Sequence, residues 1–130
     1  MPETLAAVDV GTNSLHLVVA RTTDGDRFEV VSREKEMVRL GSGSTDMKEL
    51  APDAIDRAVA ALDRFRRIAD SFGAPLRAVA TSAVREAENR QVLLTRAQRE
   101  AGVDIEVVSG VEEARLIHLG VLQALEVFDE

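Results

Sequence analysis

Apolar residues fill positions 5–10 with one break at Asp9, give way to Gly11-Thr12-Asn13-Ser14, and resume at once through positions 15–20 with one break at His16. Two runs of this length, rich in Val, Ala and Leu, predict two strands over 5–10 and 14–21 joined by a tight polar turn. Asp24-Gly25 is a hairpin signal. It predicts a third strand over about 27–40, where Phe28, Val30, Met37, Val38 and Leu40 are mixed among charges. From Pro52 the period changes. Ile55, Val59, Leu62, Phe65, Ile68 and Ala69 recur at helical spacing, Pro52-Asp53 suits a helix start, and Gly73 suits its end, so a helix is predicted over about 52–72. Short apolar runs at 76–80 and 105–108 predict two more strands, and helices are expected over about 90–101 and from Ser109 to about 125.

The order β-β-β-α-β-α-β-α constrains the topology. Strands that follow helical crossovers lie parallel to the first, with right-handed connections. The expected architecture is an α/β fold with a five-stranded mixed sheet in the order 3-2-1-4-5. Strand 1 is central, strand 2 is antiparallel to its neighbours, and helices cover both faces. Three polar turns, around 9–14, 81–85 and 109–113, then fall on one edge of the sheet, where open α/β sheets bind ligands.

Composition narrows what that ligand is. The chain has 130 residues, 45% of them hydrophobic and 30% charged, which is globular and enough for one lobe with its own core. With four Phe, no Trp and no Tyr, a stacking platform for single-stranded nucleic acid has little to be built from. A net charge of −7 argues against a broad surface that tracks phosphates, so no nucleic acid partner is expected and any anion must be gripped locally. The absence of Cys excludes disulfides, thiolate zinc sites and cysteine nucleophiles. No apolar run approaches a membrane span and residues 1–5 do not resemble a signal sequence, so the expectation is a cytoplasmic protein without a membrane partner. Gly41-Ser42-Gly43-Ser44 precedes a polar stretch and reads as a loop.

The turn at 9–14 combines a carboxylate, a glycine and three small polar residues. Gly11 permits close backbone approach, while Thr12, Asn13 and Ser14 supply hydroxyl, amide and N–H donors. Such a turn suits a phosphate, with Asp9 placed to hold a cation or its hydration water beside it. It equally suits a hairpin tip that is only solvated. Arg85, just past the fourth strand, is placed to fork onto phosphate oxygens, or else to pair with Glu86 or Glu88 at the surface. Glu112 and Glu113 occupy a helix's first turn, which the helix dipole favours on its own, yet a carboxylate there can take a proton from an attacking water. His118 reads as a packed or surface side chain.

The motifs Asp9-Val10-Gly11-Thr12-Asn13-Ser14, Ala80-Thr81-Ser82-Ala83-Val84-Arg85-Glu86-Ala87 and Ser109-Gly110-Val111-Glu112-Glu113-Ala114-Arg115-Leu116-Ile117 together resemble the exopolyphosphatase and guanosine pentaphosphate phosphohydrolase (Ppx/GppA) family. Actin-like and Hsp70-like ATPases and sugar kinases share the first motif in looser form, whereas the third is particular to the phosphatases. The resemblance implies a ribonuclease H-like fold of the actin-like ATPase superfamily and Mg2+ as cofactor. It implies that water attacks the terminal phosphoanhydride of inorganic polyphosphate or guanosine pentaphosphate, a (p)ppGpp nucleotide, to release orthophosphate. Carried over by position, Glu113 is the base, Arg85 a phosphate ligand, and residues 11–14 the first phosphate loop, while Asp9 stays the candidate metal ligand that its place at the strand end suggests. Family members continue into a second lobe with another phosphate loop. Residues 1–130 are therefore expected to be a single N-terminal lobe, inactive by itself, with an apolar last helix that a second copy covers in a homodimer. Two rivals remain: a polyphosphate or (p)ppGpp sensor without catalysis, and a nucleotide-binding module of the actin or Hsp70 type.

Overall fold

A computed structural model describes residues 3–22, 28–40, 49–80, 82–109 and 111. Strands β1 (Thr4–Val10), β2 (Ser14–Thr22) and β3 (Phe28–Met37) form an antiparallel meander. Helix α1 (Pro52–Ser71) crosses to β4 (Leu76–Ala80), which lies parallel to β1. A short helix α2 (Ser82–Glu86), helix α3 (Arg90–Arg96) with a π-type turn at Ala97–Ala101, and strand β5 (Ile105–Val107) follow, with β5 parallel to β4. The five-stranded sheet has the order β3-β2-β1-β4-β5, as expected from the element order.

Alternation along the strands sends Ala6, Val8 and Val10 of β1 and Leu15, Leu17 and Val19 of β2 to the face that carries α1, α2 and α3. There they meet Ile55, Val59, Leu62 and Phe65 of α1, Val84 of α2 and Leu93 of α3 in one buried cluster. Ala7, Val18 and Val79 are buried on the opposite face. The helix expected from Ser109 to about 125 lies outside the described residues beyond Val111, as do the turn at Asp24-Gly25 and the Gly41 to Ser44 loop.

The ends of α1 follow from its sequence. Pro52 occupies the first turn, where its missing N–H costs nothing, and the Ile55 N–H reaches the Ala51 carbonyl at 2.9 Å. At the other end Gly73 adopts a left-handed φ of 66°. The Gly73 N–H then reaches the Asp70 carbonyl, and the Ala74 N–H reaches the Ala69 carbonyl, both at 2.9 Å. These paired bonds form a glycine-dependent helix stop.

Two expected elements end differently by more than a residue. The third strand stops at Met37 instead of running on to Leu40. Arg39 takes a left-handed φ of 53°, which ends the extended run while leaving Val38 and Leu40 both buried. The expected helix over 90–101 loses α-helical bonding at Ala97 and finishes as the π turn, before Gly102 at φ 66°. Arg96 ties this region to α1, bonding Glu100 Oε2 at 2.7 Å and Asp56 Oδ1 at 2.6 Å. The guanidinium holds the Glu100 carboxyl below its ordinary range. That favourable contribution is present near neutrality and is lost as pH falls through the folded carboxyl's pKa. Among the described residues no polar or charged side chain is fully buried, and no helix is long and apolar enough to cross a membrane.

Candidate functional site

Three parallel strands end in one row. Val10 is paired with Ala80, and Ala80 with Val107. One residue on, the Val108 N–H donates to the Ala80 carbonyl at 2.9 Å. The segments that leave these ends, at Gly11, after Ala80 and at Ser109, therefore start from adjacent points on the same edge of the sheet.

The first segment is a hairpin closed over two residues. Gly11 donates its N–H to the Ser14 carbonyl at 3.1 Å, and Thr12 and Asn13 form the tip. A Cβ on Gly11 would lie 2.9 Å from that carbonyl oxygen. Closure of the hairpin thus demands glycine here, in addition to any demand from a ligand. Gly11→Ala is expected to lower unfolding free energy by about 1–3 kcal/mol in urea titrations, because a rigid backbone oxygen must move. Unchanged stability would mean that the turn is softer than its geometry.

The tip is braced from outside. The Asn13 carbonyl accepts from the Val38 N–H at 3.0 Å and the Arg39 N–H at 2.8 Å. Arg57 of α1 in turn donates Nε and Nη2 to the Val38 carbonyl at 3.2 and 2.8 Å. The left-handed turn at Arg39 brings two successive N–H groups onto one acceptor. Among the described residues the N–H groups of Thr12 and Asn13 have no backbone acceptor. Ser14 Oγ lies 2.9 Å from His16 Nε2. That contact joins a residue singled out by the sequence to one that was not.

The second segment carries Arg85, on α2. Its Nη1 is 3.4 Å from the Val108 carbonyl, and its Nε is 3.4 Å from Glu86 Oε1. The pairing with Glu86 expected from the sequence is present, and the guanidinium also reaches the end of β5. The pair is long and half-exposed, worth about 0–1 kcal/mol, and a phosphate can displace it. α2 is anchored by Val84, which is wholly buried. The third segment is described at Ser109 and Val111, and Val111 is 79% exposed. Thr81, Gly110, Glu112, Glu113, Arg115 and His118 lie outside the described residues. An open groove lined by Gln91, Leu94, Thr95, Gln98, Arg99, Asp104 and Ile105 lies beside the start of β5, not at the end where the three segments meet.

The Gly11 turn and Arg85 thus leave the same edge of the sheet. The profile of the Ppx/GppA phosphatase family matches residues 18–129. The chain belongs to that family. Exopolyphosphatase 1 of Mycobacterium bovis is 36% identical over 118 residues, 90% of this chain and 34% of its own length. The guanosine-5′-triphosphate,3′-diphosphate pyrophosphatase of Pseudoalteromonas atlantica is 39% identical over 122 residues, 92% of this chain and 24% of its own. The crystal structure of the Aquifex aeolicus Ppx/GppA family member superposes with a TM-score of 0.86 at 28% identity, covering 97% of this chain and 41% of that one. The Ppx/GppA fold is the ribonuclease H-like fold of the actin-like ATPases. The chain spans between 24% and 34% of the length of the two curated relatives.

The donors of this Ppx/GppA family chain bear on whether it suits a magnesium ion. Among the described residues no three His, Asp or Glu side chains cluster to form a metal cage. Asp9 supplies one half-buried carboxylate beside the hydroxyl-bearing turn. A single carboxylate next to phosphate oxygens fits Mg2+, which keeps several waters and leans on the substrate for the rest of its octahedron.

Proposed function

We propose that this chain forms the phosphate-gripping lobe of a hydrolase acting on the terminal phosphoanhydride of inorganic polyphosphate or guanosine pentaphosphate. The observation that carries the reading is the row Val10–Ala80–Val107, which starts all three motif segments from one edge. In this reading the Thr12 and Asn13 N–H groups and the Ser14 hydroxyl hold the terminal phosphate. Arg85 exchanges Glu86 for a phosphate oxygen. Glu113 takes the proton of the attacking water, so that the P–O bond to the leaving phosphate breaks as the new one forms. Mg2+ would be held by Asp9 and, when bound, would offset the charge on the phosphate oxygens.

One wall of a cleft is a weak catalyst. Contacts open to water on the far side act in high dielectric, and phosphoryl transfer relies on positioning from several sides. The test is release of orthophosphate from polyphosphate, guanosine pentaphosphate and ATP by a protein that also includes the remaining length of its relatives. Magnesium-dependent release from either of the first two, with ATP untouched, is the expected result. Tight binding of either without release would make the protein a sensor, and turnover of ATP alone would make it a nucleotide module of the actin type. Residues 1–130 alone are expected to release no measurable phosphate and to sediment as a homodimer.

A further inference from the structure

We infer that His16 is a positioning residue, which sets whether the Ser14 hydroxyl offers a proton or a lone pair to the bound phosphate. The inference rests on the reading of residues 11–14 as a phosphate grip and adds a residue to it. Ser14 and His16 are two apart on β2, so both project from the face opposite the α1 core. Ser14 Oγ and His16 Nε2 share a partly buried hydrogen bond of 2.9 Å. Across the strands His16 is paired with Asp9 of β1 on one side and Lys35 of β3 on the other, so an anion and a cation flank the ring in one row.

A serine hydroxyl has one proton to give. If Nε2 is bare, that proton goes to the ring, and a phosphate oxygen approaching Ser14 meets only lone pairs. If Nε2 carries hydrogen, the ring donates to Oγ, and the hydroxyl proton is left for the phosphate. Binding an anion therefore selects the ring form protonated on Nε2, and the ring in return holds Oγ in the orientation that binds. Partial burial strengthens the bond and limits competition from water.

The experiment compares wild type, His16→Phe, His16→Gln, Ser14→Ala and the double variant in a protein that also includes the remaining length of its relatives. Orthophosphate release from polyphosphate is measured in each. His16→Phe is expected to raise KM about tenfold, the value of one hydrogen bond to a charged group, with kcat changed less than about threefold. His16→Gln, whose amide can donate to Oγ from nearly the same position, should return KM to within about threefold of wild type. In the Ser14→Ala background, His16→Phe should add nothing, because the ring acts through the hydroxyl. An equal further loss in that background, or no rescue by glutamine, overturns the inference. A second measurement needs no turnover. Titration with inorganic tripolyphosphate, followed by the nitrogen chemical shifts of the His16 ring, should move Nε2 toward its protonated value. A ring that does not respond overturns the inference. If the wild type releases phosphate from neither proposed substrate, the proposed reaction fails and this titration alone decides the role of His16.

Discussion

Glu113→Gln in an active protein that also includes the remaining length of its relatives is expected to lower kcat by at least about a hundredfold and to leave KM nearly unchanged. Proton abstraction by a positioned carboxylate contributes about 10²–10⁴ to rate, and the amide keeps the shape while losing the base. Glu112→Gln is the built-in control. It alters the same helix turn by the same charge, so any effect through the helix dipole appears equally in both variants. Steady-state kinetics on polyphosphate separate the outcomes. Equal, small losses would reduce both acids to helix-terminus charges and leave the reaction without a base.

Phe65→Ala should produce the largest loss of stability of any single truncation on α1. Phe65 is fully buried, stands among the largest buried side chains, and packs in the cluster that joins α1 to the sheet. Its removal leaves a cavity worth about 3–5 kcal/mol, against a total of about 5–15 kcal/mol for a domain. Urea unfolding monitored by circular dichroism gives the value. Phe65→Leu should cost far less, because much of the volume remains. A loss below about 1 kcal/mol from Phe65→Ala would mean that α1 settles onto the sheet and closes the gap. Since Arg57 of the same helix holds the Val38 carbonyl, such settling would also disturb the brace behind the Asn13 tip.

What could be read from the chain follows from which forces are local. Strand β4 was bounded correctly at Leu76 and Ala80 because a short apolar run lies between a Gly-Ala-Pro stretch and two hydroxyl residues. The α1 stop at Gly73 was legible for the same reason, since only glycine takes that φ freely. The end of β3 was not. Val38 and Leu40, buried on either side of an exposed Arg39, imitate strand alternation, and only the hydrogen bonds to Asn13, far away in sequence, bend the chain there. Helix α2 spans five residues, too few to show a period. The π turn at Ala97 has no sequence signature at all, being a change in bonding partner within a continuous helical pattern.

At the candidate site the motif residues 9–14 and Arg85 stood out by type and position, but their surroundings did not. That Gly11 is needed to close its own hairpin, and that Arg85 already bonds the Val108 carbonyl, depends on pairings between distant segments. His16 is the residue that sequence reasoning passed over. The signal was there, since a residue two positions beyond Ser14 on a strand must share its face. It was hidden because an isolated histidine inside an apolar strand reads as a packing residue.

The row Val10–Ala80–Val107 also sets where the chain can change in length. A residue added within β4 would carry Arg85 forward by about 3.3 Å and turn the strand over, exposing Ala78 and Ala80 on the wrong side of the sheet. The same holds for β1 and β5. Insertions between elements leave the row intact, and loops absorb them at little cost. For this chain, then, the number of residues in three parallel strands is as much a part of the candidate site as the side chains at their ends.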